Sequence, residues 1–302
     1  MTTFAPSRVD TGVPADLRRS AISRRRRITD SIVKAVIWAT VLIAVVPLGL
    51  VTYYVIARGA QVMSWTFLTD RIAIQPTSTR GGMGPAIVGT LLTTGVAALI
   101  AIPLGVLGAI YLNEYGKQKL LARTIRTMAD VMTGVPSIVM GLFIFLTWVL
   151  WTDGKTVFAG ALALACLMLP VVIRSTEEML RLVPDDLRQA SLALGARKWR
   201  TTVTVVLPAA ISGIMSGALL AIARAAGETA PIVLVVGLTY RLRWDLFAEG
   251  TSLPAQIYSN ASQPYDAAVN RGWGAALTLV AIVLIMTLVG RFIAARYAIK
   301  PR

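Results

Sequence analysis

Six stretches of this chain are apolar for long enough to cross a hydrocarbon layer of about 30 Å as helices, and few architectures meet that condition. Lipid offers no partners to backbone N–H and C=O groups, so each crossing segment has to satisfy its own, as a helix does. The stretches fall at 32–57, 86–111, 128–151, 157–173, 209–237 and 273–295. The fourth is the shortest. Hydrophobic residues make up 56% of the 302 residues and mean hydropathy is +0.68, beyond what a soluble domain carries. The expected fold class is all-α, a polytopic membrane protein of six transmembrane helices.

The net charge of +15 raises the question of nucleic acid, and the placement of the charge answers it. Twenty-two of the thirty basic residues fall in the N-terminal arm, the second connection, the fourth connection and the tail, which share one side of a six-span topology. Seven fall on the opposite side, and Arg224 lies inside a span. Basic connections stay in the cytoplasm, so both termini and the fourth connection are expected there. Arg24 to Arg27 read as an anchor beside anionic membrane lipid rather than a nucleic-acid site. The first span, preceded by about thirty polar residues, reads as retained rather than as a cleaved signal peptide.

Several chemistries are excluded by composition. There is no histidine, which removes Ser-His and Cys-His nucleophile pairs and His-ligated metal sites. Cys166 is the only cysteine, so no internal disulfide forms. Gly154-Lys155-Thr156 has the end of a phosphate-binding loop, but Val149 stands where such a loop needs its first glycine.

The connection 174–208 is too long and too patterned for a simple linker. Pro184 suits a helix start, with Asp185 and Asp186 in the first turn. Leu187, Ala190, Ser191 and Leu194 share one narrow face, and Gly195 ends the helix. Small residues on an exposed helix admit close backbone approach by a partner. A helix lying on the bilayer surface would show the same pattern.

Within the fifth stretch, Arg224 and Glu228 form a spaced pair. On a continuous helix Gly213, Gly217, Ala221, Arg224 and Glu228 fall within an arc of about 80°, which predicts that both charges point inward with the small-residue face. The pair either neutralises itself and holds helices together or presents donors to an anion in transit. The run from Gly134-Val135-Pro136-Ser137 is expected to open the third span, and Gly81-Gly82-Met83-Gly84 to leave the first outer loop flexible. Residues 251–258 are expected to form a short lateral helix in the second outer loop.

These residues carry a resemblance. Permease subunits of ABC importers have a loop of the form Glu-Ala-Ala, three residues, Gly, nine residues, then Ile-x-Leu-Pro. Here Gln189-Ala190-Ser191 is followed by Gly195 and, after nine residues, by Val205-x-Leu207-Pro208, with Gln for Glu and Ser for the second Ala. The segments Gly134-Val135-Pro136-Ser137-Ile138-Val139 and Ala223-Arg224-Ala225-Ala226-Gly227-Glu228-Thr229-Ala230-Pro231 resemble the permeases of the phosphate-specific importers. The resemblance implies a type I importer permease of the MetI-like fold, with a basic disordered arm at 1–30, a first helix and outer loop at 31–83, the shared transmembrane domain at 84–291 and a cytoplasmic tail at 292–302. It implies that Gln189, Ala190, Ser191, Leu194, Gly195, Leu207 and Pro208 couple to an ATPase, and that Arg224 and Glu228 belong to the substrate pathway. It implies a second permease subunit, two ATP-binding subunits that hold ATP and Mg, and a phosphate-binding protein outside. This chain would then be no enzyme and bind no cofactor or metal of its own. An importer permease for another oxyanion, such as sulfate or molybdate, would share the architecture, and a passive anion channel could use Arg224 as a selectivity charge.

Overall fold

The computed structural model of the protein describes residues 24–116 and 119–297. Among these, regular structure is helical throughout. The arm is expected to be disordered over 1–30; its first 23 residues lie outside the described residues, and from Arg24 the chain is helical. Nothing in Arg24 to Thr29 breaks a helix, so the helix of the first apolar segment extends back through the basic run.

Residues up to Tyr54 form one compact unit and those from Val55 onward another. The first unit contains most of α1 (Arg24–Gly59), an apolar helix whose surface is exposed all round within that unit, as a lipid-facing helix should be. It runs through Pro47.

The second unit is built on α3 (Gly84–Ile110) and α6 (Val157–Arg181). Alanines line their contact, with Ala97, Ala101, Ala159 and Ala163 all buried in one cluster. Small residues let two membrane helices approach where lipid provides no hydrophobic drive. α3 continues through a wider π turn to Tyr115. α6 begins where expected, capped by the Thr156 hydroxyl, which accepts from Ala159 N at 3.0 Å. It runs on to Arg181, so the shortest apolar stretch belongs to a full-length helix and the fourth connection starts later than expected. Thr156 of the Gly-Lys-Thr tripeptide therefore has a capping role.

α2 (Trp65–Thr69) and the glycines after it correct a second expectation. Gly81 to Gly84 are closely packed, not flexible: Met83 is fully buried, its amide donates to Phe67 O at 2.6 Å and that of Gly82 to Arg71 O at 2.8 Å. A Cβ on Gly82 would stand 2.7 Å from two carbonyl oxygens. Glycine is needed there for close backbone approach.

The third expected span is two helices. α4 (Leu120–Gly134) and α5 (Ser137–Ile144, continuing to Val149) meet at 107°. Pro136 has no N–H to donate and pushes Val135 out of helical geometry, to ψ 130°. The segment from Ser137 to Val149 is roughly 20 Å long, short for a bilayer. Among the described residues five helices are long and apolar enough to cross a membrane, and the bent pair makes six if it is one crossing.

The fifth expected span is also broken. α9 (Leu207–Ala226) ends at Gly227, and α10 (Ala230–Val235) restarts with Pro231 in its first turn. α5 and α10 touch where a Cβ on Gly141 would come within 2.6 Å of Pro231 Cα. α7 (Asp185–Ala193) and α8 (Lys198–Thr201) form the fourth connection. α11 (Leu253–Ala261), capped by Ser252, is the lateral helix expected near 251–258. α12 (Asp266–Tyr297) begins seven residues before the sixth apolar stretch.

Candidate functional site

The segment of the second unit that carries α7 and α8 is largely exposed and rich in charged side chains. α7 starts at Asp185, with Pro184 just outside it as the cap residue. Its last turn closes with Gly195 N donating to Leu192 O at 2.9 Å and Ala196 N to Ser191 O at 3.2 Å, the paired bonds of a Schellman end. Gly195 has φ +83°, a backbone that a side chain would strain even though the space around it is open.

Gln189, Ala190, Leu194 and Gly195 are exposed, and Leu194 is 90% exposed. Leu187, Leu192 and Trp199 extend this apolar surface. Ser191 faces inward, its hydroxyl 2.9 Å from that of Thr201 on α8. Leu207 and Pro208 sit behind the surface at the start of α9, where Leu207 packs against the cluster of Ala109, Leu180 and Val206. The structure thus leaves Gln189, Ala190, Leu194 and Gly195 on one exposed segment and places Leu207 and Pro208 apart from it, at the start of α9.

What fixes this surface is a pair that sequence reading missed. Arg188 of α7 donates through Nε and Nη2 to Glu114 Oε1, at 3.2 and 3.1 Å. Its Nη2 also reaches Leu180 O at 2.7 Å, and its Nη1 reaches Asp185 Oδ1 at 3.1 Å. One guanidinium therefore ties α7 to the π turn after α3 and to the end of α6. Glu114 and Arg188 side chains are 6% and 12% exposed. Beside them, the buried Glu177 Oε1 accepts from Arg126 Nε and Arg181 Nη2, both at 2.7 Å, Arg174 pairs with Asp130, and Lys198 lies 5.1 Å over the Tyr115 ring. Glu114 and Glu177 have basic residues near them in the sequence, but nothing local named their partners.

Removing one member of a buried ion pair leaves the other desolvated and alone, at roughly 3–5 kcal/mol. Arg188→Met should therefore lower the thermal midpoint of the purified protein by many degrees, while Arg200→Met, on the exposed part of α8, should leave it unchanged.

The continuous helix expected through Arg224 and Glu228 does not form, and the Glu228 side chain is 20% exposed. Gly213, Gly217 and Ala221 do form a packed face: added Cβ atoms on the glycines would meet Met179 Sδ at 2.2 Å and Ser175 Oγ at 2.4 Å of α6, and Ala221 is buried. Arg224 lies in the last turn of α9, with its side chain 68% exposed, and Glu228 lies beyond the helix end. Their nearest approach is 3.9 Å, too long for a hydrogen bond. The inward arc presumed one continuous helix, and Gly227 with Pro231 ends it.

Residues 101–299 match the profile of the binding-protein-dependent transport system inner membrane component family. A phosphate transport system permease protein PstA 1 of Mycobacterium tuberculosis is 45% identical over 283 residues, covering 91% of this chain and 92% of that protein. A bacterial alginate ABC transporter in complex with its pentasaccharide-bound periplasmic protein shares the fold with TM-score 0.63 at 15% identity, covering 91% of this chain and 97% of that one. The MetNI methionine ABC transporter in its inward-facing conformation does so with TM-score 0.58 at 21% identity, over 72% and 94%. The interrupted helices, the braced α7 surface and the identity along nearly the whole length lead to one conclusion: the chain belongs to the binding-protein-dependent transport system inner membrane components and, among them, to the PstA permeases.

Proposed function

We propose that this chain is a permease subunit of an ATP-driven inorganic phosphate importer, with α7, α8 and both termini in the cytoplasm. Its partners are a second, related permease that completes the pathway, two ATP-binding subunits that supply ATP hydrolysis with Mg, and a phosphate-binding protein on the outer side. The phosphate assignment is supported by the PstA relatives, and the orientation by the excess of basic residues at the α7 end.

The observation that carries the reading is Arg224: a guanidinium at the end of a membrane helix, largely exposed on this chain, whose ion pair with Glu228 is 3.9 Å long and which, among the described residues, has no hydrogen-bonded carboxylate. A charge there is costly against lipid, so it faces protein or water. Its planar fork suits a tetrahedral oxyanion, and Glu228, near but not bonded, keeps the anion from binding too firmly. Closure of the ATP-binding subunits would press on the surface from Gln189 to Gly195. Arg188 and Glu114 would pass that displacement to α3 and α6 as rigid-body motion.

The test is ATP-dependent uptake of labelled phosphate into vesicles holding the four kinds of subunit, with sulfate as competitor. Uptake that needs ATP and ignores sulfate is the expected result; sulfate uptake would remove the substrate, and flux without ATP would remove the coupling. In the same vesicles Gly195→Val should cut uptake severalfold while ATP hydrolysis continues. A β-branched residue at positive φ costs on the order of 1–2 kcal/mol and displaces the end of α7 from its partner.

A further inference from the structure

Away from α7 and Arg224 the structure holds a cationic cavity. Arg71, in the segment after α2, and Arg241 and Arg243, in the segment after α10, line a single cavity of about 410 Å³ with Thr239 and Tyr240. No carboxylate lines it, and among the described residues none of the three arginines is in an ion pair.

The nearby acids are directed elsewhere. Asp70 lines a different cavity, Asp245 Oδ1 accepts from Phe247 N at 2.9 Å, and the Glu249 side chain lies against Gly237. Both arginine-bearing segments are fixed at the backbone. Arg71 O accepts from Gly82 N at 2.8 Å; Thr239 N donates to Gly250 O at 3.1 Å, and Gly250 N to Val236 O at 3.2 Å. Three like charges held around one space repel each other, and an anion among them offsets that repulsion. Concave basic surfaces also focus field lines and raise the local concentration of anions.

The position matters as much as the charge. Arg224 lies in the last turn of α9 and Glu228 between α9 and α10, and Thr239 to Arg243 follow α10, so along the chain the two sets of donors are joined by α10, a helix of about 9 Å, and the short segments flanking it. We propose that Arg71, Arg241 and Arg243 form an outer collecting site that holds a tetrahedral oxyanion before it reaches Arg224. The proposal rests on the phosphate-import reading above. The arginines are exposed, so the site binds weakly and releases readily, as a conducting path requires.

The test uses the complete reconstituted importer with saturating phosphate-binding protein, comparing wild type with a triple Arg71→Gln, Arg241→Gln, Arg243→Gln variant and with the corresponding triple Lys variant at matched abundance. The initial rate of phosphate uptake, the affinity for the phosphate-binding protein and the stimulated ATPase rate are measured from about 0.05 to 0.5 M salt. The Gln variant should lose roughly tenfold in uptake rate at low salt and approach wild type at high salt, with binding-protein affinity unchanged and most activity kept by the Lys variant. An unchanged rate, or a loss independent of salt, would overturn the site. A parallel loss of binding-protein affinity would overturn it too, and assign the arginines to an acidic face of that protein. If the wild type carries sulfate in place of phosphate, the substrate reading fails and the same comparison on sulfate flux judges the cavity. A wild type that moves no oxyanion overturns both.

Discussion

Replacing Arg224 with Gln is expected to reduce ATP-dependent phosphate uptake by roughly ten- to a hundredfold at unchanged protein abundance, since a hydrogen bond to a charged group contributes about 1.5–3 kcal/mol. Abundance should hold because the side chain is exposed and its contact with Glu228 is only 3.9 Å at closest. Arg224→Lys keeps the charge but loses the planar fork, and should recover part of the uptake. Quantifying the protein in the same membranes separates the two roles: if uptake falls only as far as abundance falls, Arg224 holds helices together and meets no anion.

The largest expected effect on folding belongs to Gly89→Val. A Cβ at Gly89 would stand 1.8 Å from the carbonyl oxygen of Thr251, and a backbone atom cannot step aside as a side-chain tip can. α11 would have to leave α3, breaking the bond from Leu253 N to the Thr90 hydroxyl at 2.8 Å and opening the cluster of Phe67, Met83 and Leu253. Overpacking alone costs about 1–3 kcal/mol, and the lost contacts add to it, so little folded protein should reach the membrane. Gly95→Ala, on the same helix with nothing near its added Cβ, should accumulate at least as well as wild type. Fluorescence-detected size exclusion of the solubilised protein reads both outcomes.

The parts of this fold legible in the sequence are those set by neighbours along the chain. The α7 helix could be read because Asp185, Asp186 and Gly195 act within one turn of themselves. Apolar length located the long helices for the same reason. Breaks were harder: Val135-Pro136 and Gly227 to Pro231 are local signals too, but each lies within a stretch read as one span by its apolar length, and apolar length alone does not register a missing N–H. The helical arc that was to place Glu228 was carried past Ala226, where α9 ends. The bracing of α7 was not legible at all. Arg188 and Glu114 are 74 positions apart, and Arg126 and Glu177 are 51 apart, so only packing of α3, α4 and α6 brings them together.

The two breaks have a consequence for how opening is distributed over the backbone. At Val135-Pro136 and at Gly227 to Thr229 the helical ladder is already interrupted, so α5 and α10 can turn against α4 and α9 without severing a helical hydrogen bond. Rotation within α3 or α6 would sever several. In hydrogen exchange, the amides at the two junctions should therefore trade with solvent orders of magnitude sooner than those at the middle of α6. α5 and α10 touch at Gly141 and Pro231, so they should respond together, as one soft element set between long helices that stay protected.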